Sequence, residues 1–136
     1  MIEAKTKLVR SWLIKSKHDL ASAKVLATSN PPLLDTALYH CQQAAEKALK
    51  GYLVFCDQEF ERVHDLEILI HLSIPYQSKM NEWIDAGIQL TPYARIYRYP
   101  GYTIEPSKKQ FDEAISMAEG LYDFILSLLP GEMRPE

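Results

Sequence analysis

The stretch Tyr39-His40-Cys41-Gln42-Gln43-Ala44-Ala45-Glu46-Lys47-Ala48-Leu49-Lys50-Gly51-Tyr52-Leu53 decides the fold. It contains no proline or β-branched residue and is rich in Ala, Leu, Gln, Glu and Lys, which lose little side-chain freedom in a helix. Apolar residues that recur at steps of three and four share one face: Leu34, Leu38, Cys41, Ala45, Ala48, Tyr52 and Phe55. Leu49 and Leu53 widen this face, which indicates contact with more than one neighbour. We predict the central helix of a bundle.

The residues before and after this stretch predict a helix on each side of it. A first helix from about residue 5 to 28 has these inward residues: Val9, Leu13, Ser16, Leu20, Ala23 and Ala27. Asn30 precedes two prolines and is a candidate N-cap for the central helix, which then runs to about Cys56. After a loop over residues 57–63, Asp65 can cap a short third helix that carries Leu66, Leu69 and Leu72.

Two more helices are predicted in the second half of the chain. The fourth extends from about Tyr76 to Tyr97, with a kink or break at Pro92, which has no N–H to donate. Ser107 and Gln110 have the form of a capping box that opens the fifth helix, and Pro130-Gly131 ends it. Residues 1–136 are therefore expected to form one all-α domain, an up-and-down antiparallel bundle of four long helices plus one short helix.

Composition and charge exclude several classes of protein. The chain has 136 residues, 47% of them hydrophobic and 24% charged, which is ordinary for a globular domain. The longest apolar runs are far shorter than the roughly 18 residues of a membrane span, and the first residues form no signal segment, so we expect a cytoplasmic protein. The net charge of −3 argues against a strongly electrostatic nucleic-acid binder, although residues 1–24 hold six basic and two acidic side chains.

Cysteine and histidine spacing favours neither a disulfide nor a metal site. Cys41 and Cys56 fall on one predicted helix and stand roughly 22 Å apart, beyond the reach of a disulfide. We interpret both as small buried hydrophobic residues. No His-x-x-x-His, Cys-x-x-Cys or Glu-x-x-His pattern is present, and the five glycines occur singly, so we expect no metal and no cofactor.

The sequence around the central stretch resembles the HEPN domain family, helical domains of prokaryotes and higher eukaryotes. Residues 42–50 look like the family's second-helix signature, and three further segments match in the expected order. These segments are Trp12-Leu13 with Asp19-Leu20 and Ala23, then His64-Asp65-Leu66, then Arg98-Tyr99-Pro100. The resemblance covers the chain from about Trp12 to Leu129, and four pieces in order make it fairly specific.

The ribonuclease motif of the family is absent. HEPN ribonucleases typically carry an Arg, four to six further residues and a His near the end of the fourth helix. The His of such a pair moves protons and the Arg stabilises the charged phosphorane, without a metal. In this chain no histidine follows Arg95 or Arg98, and the last one is His71. We therefore expect no catalytic residue. A ribonuclease toxin ranks below two other interpretations, a phosphate-binding module and a protein-interaction module.

A polar constellation suited to phosphate remains. Arg95 and Arg98 lie one helical turn apart and offer forked donors, with Arg98 expected to contribute more. Interleaved aromatic residues can stack on a base: Tyr97, Tyr99 and Tyr102. On the central helix, a polar stripe consists of Gln43, Glu46 and Lys50. The candidate binding residues are Arg95, Arg98, Tyr99, His64, Asp65, Gln43 and Lys50.

Several of these residues also have a structural interpretation. Glu46 and Lys50 have the spacing of an ordinary i,i+4 ion pair, and Arg98 can bridge to an acidic side chain at a helix end. Asp65 can simply cap the third helix with His64 packed beside it, or His64 can share a cleft with Arg98.

We therefore predict a non-catalytic HEPN-like module that binds nucleotide or RNA phosphate. The resemblance implies a homodimer and a separate nucleotidyltransferase chain as partner. The wide apolar arc of the central helix, eight Tyr and two Trp make a buried interface feasible. The competing interpretation is a protein-interaction module that docks a partner and binds no ligand.

Overall fold

The described part of the chain folds into five α-helices joined by turns and short 3-10 helices. A computed structural model describes residues 2–101 and 104–135. Its helices are α1 (Ile2–Thr28), α2 (Leu34–Phe55), α3 (Leu66–Ser73), α4 (Ile84–Leu90) and α5 (Lys108–Leu128), with 3-10 helices over Ser78–Trp83, Thr91–Ala94 and Gly131–Met133. The described residues contain no strand, and the predicted all-α class is confirmed. Within them, no helix has both the length and the hydropathy that crossing a bilayer requires.

Helices α1 and α2 form an antiparallel hairpin. The Ser16 hydroxyl of α1 donates to the Ala44 carbonyl of α2 at 2.6 Å, and Lys5 pairs with Asp57 just beyond α2 at 3.0 Å. Residue numbers therefore rise along α1 as they fall along α2. All of the inward residues predicted for α1 are buried: Val9, Leu13, Ser16, Leu20, Ala23 and Ala27.

A buried carboxylate also joins the two helices. Asp19 of α1 has one oxygen 2.7 Å from His40 Nδ1 and the other 2.6 Å from Lys47 Nζ. Both oxygens are thus satisfied by α2, which is the condition under which a buried charge is tolerated. The pair of contacts fixes the register between the helices.

Small residues allow α1 and α2 to approach closely. A Cβ atom on Gly51 would lie 2.5 Å from Leu13 Cδ2 and 3.0 Å from Trp12 Cβ. Ala48, one turn earlier, is fully buried. Most of the apolar arc of α2, including Leu49 and Leu53, is buried inside the chain, which confirms contact with several neighbours, while Leu34 and Phe55 at its two ends are partly exposed.

Helix α5 closes the bundle against the hairpin. Lys24 pairs with Glu119, and Arg10 donates to the Glu132 carbonyl, so α5 runs antiparallel to α1. The predicted capping box is confirmed, because Ser107 Oγ accepts from Gln110 N and Gln110 Oε1 accepts from Ser107 N. The buried face of α5 consists of Phe111, Ala114, Ala118, Leu121, Tyr122 and Ile125.

The fourth helical segment differs from the single helix predicted over about residues 76–97. It consists of a 3-10 helix, the seven-residue α4 and a second 3-10 helix. The predicted break at Pro92 is confirmed, because the α-helix ends at Leu90. The earlier break lies at Trp83, whose backbone leaves the helical region and whose ring packs on Phe124 at 5.9 Å. Tertiary packing here overrides local helix preference.

The prediction that Asn30 caps α2 is wrong. Helix α2 begins at Leu34, and its N-cap is Leu33, which makes no side-chain cap bond. The reason lies in the two prolines, since a residue before proline is driven away from the helical region. Pro31 precedes Pro32 and is therefore disfavoured as the first helical residue after an Asn30 cap, so the helix starts further along the chain.

Helices α3 and α4 touch at another small residue. A Cβ atom on Gly87 would lie 2.7 Å from Ile70 Cδ1 and 3.5 Å from Leu66 Cβ. Because the helices are this close, the end of α4 is held beside the beginning of α3.

Gly51→Leu tests the closest contact of the hairpin. The helix propensity of leucine stabilises a helix by about 0.8–1 kcal/mol relative to glycine. Overpacking of a dense contact typically destabilises the fold by about 1–3 kcal/mol, and we expect more here, because a Cβ on residue 51 would lie 2.5 Å from Leu13 Cδ2. We expect a lower melting temperature, by roughly 3–8 °C in calorimetry. Gly131→Ala is the control, since its Cβ meets nothing within 4 Å. An unchanged melting temperature for Gly51→Leu would contradict the packing described.

Candidate functional site

A cleft lies between the loop before α3 and the segment after α4. It encloses about 590 Å³, and its lining residues are Arg62, Val63, His64, Asp65, Thr91, Pro92, Ala94, Arg95 and Ile96. Thr91 ties the two walls together, because its hydroxyl accepts from Leu66 N at 3.0 Å and donates to the Gly87 carbonyl at 2.7 Å. The cleft is therefore built on the close α3–α4 contact.

A buried carboxylate orients the histidine of this cleft. Glu46 of α2 is 4% exposed, and its Oε1 lies 2.8 Å from His64 Nδ1. An ionised carboxylate can only accept, so Nδ1 carries the hydrogen and Nε2 is the ring nitrogen left for a ligand. Gln42 Nε2 donates to the His64 carbonyl at 2.9 Å and therefore holds the backbone of the same residue. The imidazole itself is 59% exposed.

The second oxygen of Glu46 is bound by Lys50. Lys50 Nζ donates to Glu46 Oε2 at 2.9 Å, which confirms the predicted i,i+4 pair. Its ammonium also lies 5.9 Å from the ring centroid of Trp12 and 5.7 Å from that of Phe60. Both charges are buried, so the polar stripe predicted for α2 is an internal network covered by the loop after the helix.

The pKa of Glu46 reflects two opposed causes. Burial raises the pKa of this carboxyl, but hydrogen bonds from His64, Lys50 and Gln42 lower it by more, so it falls below its ordinary value of 4.5. A carboxyl with a depressed pKa stabilises the folded state above the pKa of the unfolded chain. Its contribution is lost as the pH falls through the folded value.

The structure separates the two arginines that the sequence predicted to act together. Arg95 lines the cleft with His64 and Asp65. Arg98 instead stacks its guanidinium over Tyr39 of α2, 4.3 Å from the ring centroid, and 5.9 Å from that of Tyr99. The backbone at Arg95 lies outside the helical region, so a spacing of three residues does not place both side chains on one face.

Comparisons with known proteins identify the family to which this chain belongs. The family model of the HEPN domain matches residues 9–128. This chain is a member of the HEPN family. Its fold is similar to TT1696 from Thermus thermophilus, with 26% identity, a TM-score of 0.76 and coverage of 89% of this chain and 98% of that one.

A second similar structure comes from an archaeon. It is ST0689, an archaeal HEPN homologue, with 25% identity, a TM-score of 0.70 and coverage of 88% of this chain and 96% of that one. A comparison with curated proteins found no significant match. The HEPN resemblance seen in the sequence is confirmed.

Other predicted site residues of this HEPN domain have defined positions. Asp65 caps α3 by accepting from Glu67 N at 3.0 Å, as its structural interpretation predicted. Gln43 is buried and donates to Gln42 Oε1 at 2.7 Å. Tyr99 is 65% exposed beside Arg98. Gln43, Lys50, Arg98 and Tyr99 are not among the cleft-lining residues in the described part of the chain.

The tyrosines predicted to stack on a base are not equivalent. The ring of Tyr97 packs on Tyr93, with centroids 6.2 Å apart and planes inclined by 20°. That face of Tyr97 is therefore occupied by the protein itself. Tyr102 lies outside the described residues.

The sequence interpretation missed one residue of the site and one contact. Arg62 was read as part of a loop without periodicity, and no local signal marks it as a ligand-facing residue. Glu46 was predicted as part of the polar stripe and as the partner of Lys50, but its contact with His64 was not predicted. The available signal was the density of polar residues on one face of α2, which is unusual for the central helix of a bundle.

Burial raises the pKa of both cysteines, and no metal-binding group is found among the described residues. Burial, with a smaller contribution from Glu119, raises the pKa of Cys41 to about 12, so its thiol stays protonated. Cys56 is partly buried, and burial again raises its pKa. No group of three or more His, Cys, Asp or Glu side chains in residues 2–101 and 104–135 is arranged to hold a metal ion.

Glu46→Gln tests the buried network. The substitution preserves shape but leaves the Lys50 ammonium buried without a countercharge, so at pH 7 we expect a loss of about 3–5 kcal/mol in the free energy of unfolding. The difference from wild type should narrow as the pH falls below the pKa of Glu46, because protonation then removes the same charge. Urea denaturation between pH 3 and 7, in steps of about one unit, measures both effects.

Glu113→Gln is the matched control for this change. Glu113 forms an i,i+4 pair with Lys109 at 3.9 Å, and both side chains are exposed. Exposed pairs contribute little, so the unfolding curve should stay unchanged. Equal effects of the two substitutions would mean that the Glu46 network does not stabilise the fold.

Proposed function

We propose that this HEPN domain is a non-catalytic module that binds the phosphate of a nucleotide or RNA. The binding site is the cleft between the loop before α3 and the segment after α4. One observation carries the proposal. Arg62 and Arg95 line the cleft together with His64, both residues are exposed, and neither has a hydrogen bond or ion pair within the described residues. Two unpaired forked donors that face one cleft are suited to a phosphate.

The remaining lining of the cleft is compatible with this ligand. The Asp65 carboxylate opposes an anion, but one of its oxygens is engaged at the α3 N-terminus. The volume of about 590 Å³ lies in the range of roughly 300–1,000 Å³ typical of small-molecule sites. Val63, Pro92 and Ile96 provide apolar surface for a sugar or base.

Arg95→Ala and Arg98→Ala distinguish this site from the one expected from sequence. A charge-assisted hydrogen bond contributes about 1.5–3 kcal/mol, so loss of Arg95 should weaken nucleotide binding by roughly ten- to a hundredfold. Arg98 stacks on Tyr39 outside the cleft, so its loss should affect binding less. Titration calorimetry with ATP, GTP and a short RNA measures both variants, with melting temperatures as the check on folding.

The same titrations separate the competing interpretations. Wild-type protein that binds none of the three ligands would contradict phosphate binding and favour a protein-interaction module. Cleavage of the RNA, abolished by His64→Ala, would instead favour a ribonuclease whose histidine comes from the loop before α3. Stronger loss of binding in Arg98→Ala than in Arg95→Ala would place the ligand on the Tyr39 surface.

We also propose that the domain forms a homodimer and acts with a nucleotidyltransferase chain. Both proposals rest on the family resemblance, and an adjacent nucleotidyltransferase reading frame would support the second. Because most of the α2 arc is internal, we propose that the interface uses other apolar surface, such as the exposed Leu8 and Val25 of α1. Light scattering at high micromolar concentration should give twice the chain mass, and a monomer mass would refute the dimer.

A further inference from the structure

Arg98 and two tyrosines form a surface outside the cleft, which we call the Arg98 platform. The Arg98 guanidinium lies 4.3 Å from the ring centroid of Tyr39 on α2 and 5.9 Å from that of Tyr99. Its side chain has no hydrogen bond or ion pair with any other described residue. A guanidinium does not lose its charge in proteins, and contact with a ring does not use its N–H donors. These donors are therefore available to an anion.

Tyr99 gives the Arg98 platform an exposed aromatic ring. The exposed tyrosines among the described residues are Tyr76 and Tyr99, and Tyr99 is the more exposed of the two, at 65%. Proteins that hold single-stranded nucleic acid stack bases on such rings and place cationic side chains beside them for the backbone. An exposed ring next to an arginine with free donors therefore suits one nucleotide, with its base on Tyr99 and its phosphate on Arg98.

The Arg98 platform and the cleft lie on the same face of α2. Tyr39 contacts Arg98 in the platform, and Glu46 binds His64 in the cleft. Tyr39 and Glu46 are seven positions apart, so they share one face of the helix and stand roughly 10 Å apart along its axis. A single turn of chain joins the two sites, because Arg98 N donates to the carbonyl of Arg95, which lines the cleft, at 3.0 Å.

This separation is longer than one nucleotide step. Nucleotides in a stacked strand rise by about 3.4 Å per step, so roughly 10 Å corresponds to about three steps. A nucleoside monophosphate has a single phosphate, and when the cleft holds it, none remains for Arg98. A strand supplies one phosphate to the cleft and another, further along, to the Arg98 platform.

We propose that the cleft and the Arg98 platform together bind a single-stranded oligonucleotide, with one phosphate in the cleft and a later nucleotide of the same strand on Arg98 and Tyr99. The inference rests on the proposed phosphate-binding function and narrows its ligand class from any nucleotide to a strand. Stacking on a tyrosine tolerates every base, so the platform adds affinity with little sequence preference. The interior bases of a duplex are stacked on each other and offer no face to Tyr99.

Two ligands with the same terminal nucleotide test the selection on the intact chain. Adenosine 5′-monophosphate and a 5′-phosphorylated tetra-adenylate RNA share the group proposed for the cleft, but only the tetramer extends to the platform. We expect titration calorimetry at pH 7 to give about tenfold or tighter binding of the tetramer. In Tyr99→Ala this ratio should fall below about threefold, because the stacking surface is lost, while binding of the monophosphate stays unchanged. Tyr99→Phe keeps the ring and should keep the wild-type ratio.

Tyr76→Ala is the matched control, because Tyr76 is also exposed but donates to Gln58 and belongs to neither the cleft lining nor the platform. This variant should keep the wild-type ratio, and melting temperatures check that each variant is folded. Equal affinity of the wild type for both ligands would overturn the selection of a strand and leave phosphate binding intact. A wild-type ratio in Tyr99→Ala would attribute the preference to charge alone and overturn the role of the platform. Binding of neither ligand would overturn the proposed function itself.

Discussion

The buried carboxylate of Glu46 needs a partner for each of its oxygens. The residues that provide these partners determine how the loop before α3 packs against α2. Lys50, one turn later on α2, takes one oxygen, and His64 and Gln42 take the other. An unpaired buried charge is strongly destabilising. The loop that carries His64 therefore packs against α2, where His64 binds Glu46. The same loop covers Lys50, whose ammonium lies near the rings of Trp12 and Phe60. One carboxylate thus links the core of the bundle to its surface cleft.

The opposite wall of the cleft depends on packing instead of charge. Helix α4 approaches α3 at Gly87, where a side chain would meet Ile70. Thr91 then bridges the two segments by accepting from Leu66 and donating to Gly87. A helix that continued through Pro92 would carry Arg95 in another direction. The end of α4 at Leu90 therefore determines where Arg95 lies in the site, and it is also a feature of the fold.

The chemistry of the cleft differs from that expected of a HEPN ribonuclease. In such enzymes the arginine and histidine come from one helix end, whereas here the imidazole comes from the loop before α3 and the guanidinium from the segment after α4. An imidazole held by a carboxylate has a defined tautomer and one free nitrogen. Arg62 and Arg95, both exposed, line the same cleft. The proposed binding of a phosphate group rests on this arrangement.

Local sequence determined most of the helices of this protein. The end of α2, the boundaries of α5, the capping box at Ser107, the cap at Asp65 and the break at Pro92 depend on periodicity, side-chain hydrogen bonds and proline geometry within a few residues. The start of α2 was placed too early because the restriction that Pro32 imposes on Pro31 was not taken into account. The 3-10 helix before Trp83 was missed because packing on Phe124 lies far away in sequence.

Only the tertiary structure decided the site. The pattern of α2 shows that Gln42, Gln43, Glu46 and Lys50 share a polar face, but not that a loop covers it, because loop paths follow from contacts distant in sequence. Likewise, the spacing of Arg95 and Arg98 predicts one face only if the helix continues. Once the backbone leaves the helical conformation, a separation of three residues no longer places two side chains on one face. Arg95 then lines the cleft with His64, and Arg98 packs on Tyr39.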